Sequence, residues 1–272
     1  MGINHAIFLF FAAVIAGILN SLAGGGSFVS FPALLFTGIP PVEANATNTV
    51  AVWPGLAAST FTYLKRLDVP ARLLVPLLLT SVVGGLAGAL LLIKTPQHTF
   101  LHLVPWLLLG GTLLFAFGNR FRSLAGQPAS ADTSQPVSAA VVSVPVISLP
   151  VMAAISVLQL VVGVYGGYFG GGIGFVMMGM MAAVGMRDIH SMNALRMLLA
   201  AVINVVGVIT FIVVGAIYWP QCLVMMAGAL VGGWSGAHYA QKADPKKLRL
   251  VVIAMGLIMS AYFFVNVYIL RG

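Results

Sequence analysis

Hydrophobic residues run along this chain in long blocks separated by short polar breaks. Ten apolar segments can be drawn, at approximately Ala6 to Leu22, Gly26 to Phe36, Ala44 to Leu64, Leu73 to Ile93, Phe100 to Gly118, Ile147 to Phe169, Ile173 to Val184, Met192 to Val214, Cys222 to Ala240 and Leu248 to Leu270. Most approach the roughly 20 residues that carry a helix across a hydrocarbon core, and the two-residue alternation of a membrane β-barrel is missing. The pattern predicts an all-α, polytopic transmembrane bundle. The second and seventh segments, at about 11 or 12 residues, are too short to span alone and read as re-entrant or broken helices.

The polar breaks organise these segments into two halves. Arg120 to Ser143 is rich in Ser, Ala, Gln and Pro and reads as a linker. The expected division is a first transmembrane repeat at 1–119, a cytoplasmic linker at 120–146 and a second repeat at 147–272. The halves match each other: Gly17 precedes Gly24-Gly25-Gly26 at the spacing by which Gly163 precedes Gly170-Gly171-Gly172. Likewise Thr37-Gly38-Ile39 corresponds to Val184-Gly185-Met186, and the run from Val83 to Ala89 to that from Val231 to Ala237. The offset drifts by only a residue or two, which implies an internal duplication.

Basic residues orient the halves. If the loop with Lys65, Arg66 and Arg72 is cytoplasmic, alternation brings Arg120, Arg122, Arg187, Lys242, Lys246, Lys247 and Arg249 to the same side, leaving Lys94 and Arg271 outside and Arg196 within a segment. An odd number of segments per repeat then inserts the second copy upside down. Two inverted repeats with both termini outside are expected, in a bacterial inner membrane.

Composition agrees. Hydrophobic residues make up 60% of the chain and charged residues 7%, about a third of the charged share of a soluble domain. The formal charge of +8 sits mostly in short loops, where it sets orientation and does not imply nucleic-acid binding. Cys222, the one cysteine, excludes an internal disulfide and a Cys-rich metal site and reads as packing. The first residues lack Lys and Arg, so the first apolar run is expected to be retained and not removed as a signal peptide.

Each glycine triplet separates a full helix from a short one. Three glycines cost roughly 1 kcal/mol each in a helix interior, so a break is expected there, with the short helix aiming its N–H groups and positive dipole end at the gap. Such an end attracts anions, and inverted copies bring two of them toward the bilayer centre. The alternative is that the glycines only permit close helix crossing. Candidate ligands flank the triplets: Asn20, Ser21 and Ser27 in the first copy, Tyr165 and Tyr168 in the second, all able to hydrogen-bond oxyanions or else to glue helices together. In the run Glu43-Ala44-Asn45-Ala46-Thr47-Asn48-Thr49, helical spacing gives Asn45, Asn48 and Thr49 one polar face beside Thr47, and Glu43 reads as a first-turn charge. The second-copy counterpart runs from Arg187 through His190 and Asn193 to Arg196. Arg196 lies about 9 Å into its segment at 1.5 Å per residue, where it either balances an oxyanion in a cavity or snorkels to the headgroups. His190 reads as a proton-coupling group or as incidental.

No nucleophile and base, metal-ligand spacing or Walker loop is present, so the chain reads as a gradient-driven carrier, with no cofactor or metal, and not as an enzyme. The stretch Asn20 to Leu35, with Gly38-Ile39-Pro40 and Ala44-Asn45-Ala46-Thr47-Asn48, resembles the signature of the TauE/SafE sulfite exporter family, and Gly166 to Gly174 echoes it. The resemblance covers nearly the whole chain apart from the linker. It implies a permease for sulfite or small organosulfonates such as sulfoacetate, acting in export. Where the family pattern has a Thr-Ser-like pair in the second copy, this sequence has Ala194-Leu195-Arg196, which favours a substrate with more charge or a second anionic group. The expected partners are a small anionic substrate and the lipid bilayer, with a second copy of the chain left open. The site expected from these readings comprises Asn20, Gly24, Gly25, Gly26, Ser27, Asn45, Thr47, Asn48, Tyr168, Gly170, Gly171, Gly172, Asn193 and Arg196. A carrier for another small organic anion such as a carboxylate, or a membrane assembly subunit without flux, are the competing readings.

Overall fold

A computed structural model describes residues 2–23, 25–64, 67–124, 149–171, 173–183, 186, 189–239 and 245–269. Among these residues there are ten α-helices and no strand: α1 Ile3–Ala23, α2 Ser27–Phe36, α3 Pro41–Leu64, α4 Ala71–Lys94, α5 Gln97–Leu124, α6 Leu149–Tyr168, α7 Ile173–Ala183, α8 Ile189–Val214, α9 Trp219–Tyr239 and α10 Pro245–Phe264, the last continuing into a π-helical turn, Val265–Ile269. Each apolar segment has become one helix. Several helices begin about three residues before their apolar run because a proline starts them, Pro41 and Pro245 at the first helical position and Pro70 just before α4. At the other end, α5 runs to Leu124, into the stretch read as linker, because a helix needs no apolar residues once it has left the hydrocarbon. The rest of that stretch lies outside the described residues.

Among the described residues, five helical stretches are long and apolar enough to cross a membrane: Ile3–Asn20, Ala71–Lys94, Leu149–Tyr168, Ser191–Val214 and Leu250–Ile269. Their outward faces carry Leu79, Val157 and Val213, all more than half exposed, a surface that suits lipid and not water. The short helices α2 and α7 are about 15 Å long at 1.5 Å per residue, half the hydrocarbon thickness. Each anchors its own core cluster. Phe28, Phe31 and Leu34 of α2 pack with Phe100, Phe169 and Phe211, whereas Ile173, Met177 and Met181 of α7 pack with Leu73, Leu195 and Leu199.

The two most extensive helix pairings are α1 with α9 and α4 with α6. Exchanging each helix for the one five places along turns either pairing into the other, while α3 with α8 and α5 with α10 map onto themselves. The glycines that match in sequence form both seams. A methyl group at Gly17 would lie 2.5 Å from the Ala229 carbonyl oxygen and 2.8 Å from Gly233 N, and one at Gly232 would strike the Val14 carbonyl. Across the other seam, a methyl at Gly84 would lie 2.6 Å from the Leu160 carbonyl oxygen, and one at Gly163 would lie 3.2 Å from Gly84 Cα. Backbone thus rests on backbone at equivalent positions, the contact that small residues permit between membrane helices.

Candidate functional site

Between the central pair α3 and α8 and the α1–α9 pair lies a cavity of about 100 Å³. Its first wall is α3, where Asn48, Thr49, Val52, Gly55 and Leu56 follow one another at helical spacing. Opposite, α8 contributes Arg196, Met197, Ala200 and Asn204. Ala16, Gly17 and Asn20 of α1 and Ala229 and Gly233 of α9 close one flank, and the remaining end is formed by Ser27 of α2, by Phe169 and Gly170, and by Ile173 and Gly174 of α7. Both short helices therefore meet the cavity with their first turns.

The break before α7 has a local cause. Gly170 adopts φ +81°, a left-handed conformation open to glycine, and its N–H reaches back 3.2 Å to the Tyr165 carbonyl, closing the end of α6. The chain then turns into α7. At the matching break, Gly26 precedes α2, and a methyl there would strike the Ala16 carbonyl, so this position too must stay bare.

Arg196 gives the site its charge. Its Nε and Nη2 donate to Asn193 Oδ1 at 3.1 and 2.7 Å, a two-pronged grip one turn back along α8. Its Nη1 lies against the first turn of α7, so close that a methyl group on Gly174 would come within 2.6 Å. The guanidinium thus rests on the positive end of a helix dipole, two positive features side by side. Asn48 is 2% exposed and its Oδ1 has no hydrogen-bond partner. Asn204 Nδ2 donates to the Ala200 carbonyl at 2.8 Å. Thr60 Oγ1 bonds the Leu56 carbonyl at 2.9 Å and the Met197 carbonyl at 3.3 Å, tying α3 to α8 just beyond the cavity.

Of the residues expected from sequence, Asn20, Ser27, Asn48, Gly170 and Arg196 line this cavity. Asn193 stands behind Arg196 as its clamp. Gly25 and Gly26 form the turn into α2, and Gly171 packs against the ring of Phe169. Asn45, Thr47 and Tyr168 stand elsewhere. Asn45 Nδ2 donates to the Tyr168 carbonyl at 2.8 Å, and Thr47 Oγ1 accepts from Tyr218 N at 3.1 Å in the α8–α9 connection. The Tyr168 ring packs edge-on to Phe100, with its hydroxyl 3.3 Å from Thr95 Oγ1. Gly24 and Gly172, and the side chains of Ser21 and His190, lie outside the described residues. The sequence reading passed over Asn204 and Gly174. Asn204 carried a usable signal, since it lies eight residues beyond Arg196, two turns along the same face of α8. Gly174 carried none, because its importance depends on which side chain crosses it.

An all-helical membrane bundle with two half-length helices meeting at a cavity that holds an arginine has the architecture of a multi-pass membrane transporter. The family model for the sulfite exporter TauE/SafE matches residues 9–263, and the chain belongs to that family. A relative from Sinorhizobium, named "Probable membrane transporter protein ORF9", is 30% identical over 254 residues, covering 92% of this chain and 89% of the relative. A Haemophilus influenzae protein, "Probable membrane transporter protein", is 26% identical over 261 residues, covering 96% and 95%. The Escherichia coli protein "Probable membrane transporter protein YfcA" is 26% identical over 260 residues, covering 93% and 87%. No solved structure matches the chain.

Proposed function

We propose that this protein is a secondary carrier that exports a small sulfur-containing anion, sulfite or an organosulfonate such as sulfoacetate, by alternating access to the cavity between α3 and α8. One observation carries the reading: a guanidinium clamped by Asn193 against the first turn of α7, beside a cavity lined by both polar and apolar side chains. A guanidinium and a helix N-terminus side by side both favour an anion that touches the two. Neutral Asn20, Ser27 and Asn48 then supply hydrogen bonds across the cavity without adding charge, while Thr49 gives its hydroxyl proton to the Asn45 carbonyl at 2.9 Å. In sequence, Gly24 and Gly172 complete the two glycine triplets. The family description, sulfite exporter, supports both the substrate class and the direction.

In this reading 1–119 and 147–272 are inverted repeats inserted in the inner membrane with both termini outside, joined by a cytoplasmic linker at 120–146. The reciprocal pairing of α1–α9 and α4–α6 through matched glycines supports the duplication. Proteoliposomes loaded with sulfite, sulfoacetate, taurine or a small carboxylate test the proposal. Arg196-dependent efflux of sulfite or sulfoacetate is the expected outcome. Efflux of carboxylate alone would overturn the substrate class, and absence of flux across the panel would favour a subunit without transport.

A further inference from the structure

The two seams are equivalent in their own packing but not in their distance from the centre. On the α1–α9 side, a methyl at Gly233 would meet nothing within 4 Å, and one at Gly55 would meet only the Ala229 carbonyl oxygen at 3.9 Å, because the cavity lies between them. By the repeat correspondence their counterparts are Gly85 and Ile203. There a methyl at Gly85 would lie 3.1 Å from the Ile203 carbonyl oxygen, and one at Gly166 would lie 3.0 Å from Ile203 Cγ2. At this level the α4–α6 pair presses onto Ile203 of α8, whereas Gly233 of α9 and Gly55 of α3 leave the cavity between them; elsewhere α3 packs on both α1 and α9.

The closed side hides a polar pair. Gln159 of α6 and Ser81 of α4 are both fully buried, and Gln159 Nε2 donates to Ser81 Oγ at 2.8 Å. Ser81 spends its own proton on the Leu77 carbonyl at 2.6 Å, so it can only accept from Gln159, and Gln159 Oε1 is left without a partner. The equivalent positions in the other seam are Ala13 and Ala229, both apolar. A buried, unsatisfied amide is costly where it is and is relieved by water, so it biases this seam toward opening.

We propose that the α4–α6 seam is the second gate of the carrier: it separates from α8 at Ile203 and admits water and the anion to the Arg196 site from the opposite membrane face, with Gln159 and Ser81 lining the entrance. This rests on the carrier reading above. The test uses thiol chemistry in the full chain with Cys222→Ala, comparing Ala229→Cys in the open side with Ser81→Cys in the closed one. A membrane-impermeant maleimide is applied to right-side-out and inside-out vesicles with and without sulfoacetate, which unlike sulfite does not add to the maleimide. The two cysteines should react from opposite faces, and sulfoacetate should change their rates in opposite directions by about tenfold, as a ligand that binds one state better does. Ser81→Cys inert from both faces, while the vesicles move anion, would overturn the gate and leave the carrier standing. No flux and no response of either cysteine to any anion would overturn the carrier reading itself. Ala16→Cys and Val162→Cys form a second equivalent pair should the first disturb folding. Independently, Gln159→Leu should lower flux about tenfold while keeping the anion-induced thermal shift, and a folded Gln159→Leu protein with full flux would also sink the gate.

Discussion

Helices α3 and α8 are counterparts that face each other across the cavity, yet they bring different chemistry to it. Asn45 and Asn193 occupy matching positions, but Asn45 is used on the last carbonyl of α6, whereas Asn193 holds Arg196. One turn further on, α3 offers the neutral Asn48 and Thr49 where α8 offers Arg196 and Met197. The short helices follow suit, since Phe28 in α2 stands where α7 has Gly174. Under the proposed duplication the two halves share a two-fold frame, while the cavity lining is one-sided, with the charge of Arg196 on α8 and neutral side chains on α3.

The comparison can be broken most sharply at its charge. Arg196→Gln should weaken anion binding by roughly 10- to 100-fold, the worth of charge-assisted hydrogen bonds, read as loss of the sulfite-induced thermal shift in a protein that remains folded. Moving the charge across, with Asn48→Arg combined with Arg196→Asn, should leave binding weak by at least about tenfold, because α2 has Phe28, and not a glycine, at the position matching Gly174; restored affinity in a titration would mean the halves are interchangeable. Gly174→Ala should cost about tenfold in affinity with little change in melting temperature, since its methyl group meets Nη1 at 2.6 Å and the guanidinium must shift. Asn45→Leu should leave affinity unchanged but destabilise by about 1–3 kcal/mol, the cost of an unpaired buried carbonyl, seen as a lower melting temperature. The smallest effect is expected from Asn204→Leu, a few-fold at most in KM, because one of its amide hydrogens is already bonded to Ala200.

The helices were legible because apolar block length has one meaning in a membrane: every span must satisfy its own backbone, so a 20-residue run becomes one helix. The breaks at the triplets were legible for a related reason, since glycine runs are poor helix interiors and the segments after them are too short to cross. Half-legible was the polar face of α3. Helical spacing grouped Asn45, Asn48 and Thr49, but could not tell that Asn45 would bond the end of α6 while the other two opened onto the cavity. Tyr168 stood beside a triplet in sequence, yet the left-handed turn at Gly170 and the packing of its ring on Phe100 turn it away.

The sequence by itself therefore determined what is local and what is repeated: ten helices, two of them half-length, a duplicated set of glycines, and one arginine inside an apolar run. Only the tertiary structure decided that the matched glycines join α1 to α9 and α4 to α6 across the two halves, that Arg196 crosses Gly174, and that a cavity lies beside one seam while α8 packs against its counterpart. The physical reason is that periodicity and hydropathy report each residue's relation to its own helix and to solvent, whereas close backbone approach, a clamped guanidinium and an enclosed cavity depend on pairs of residues far apart in the chain.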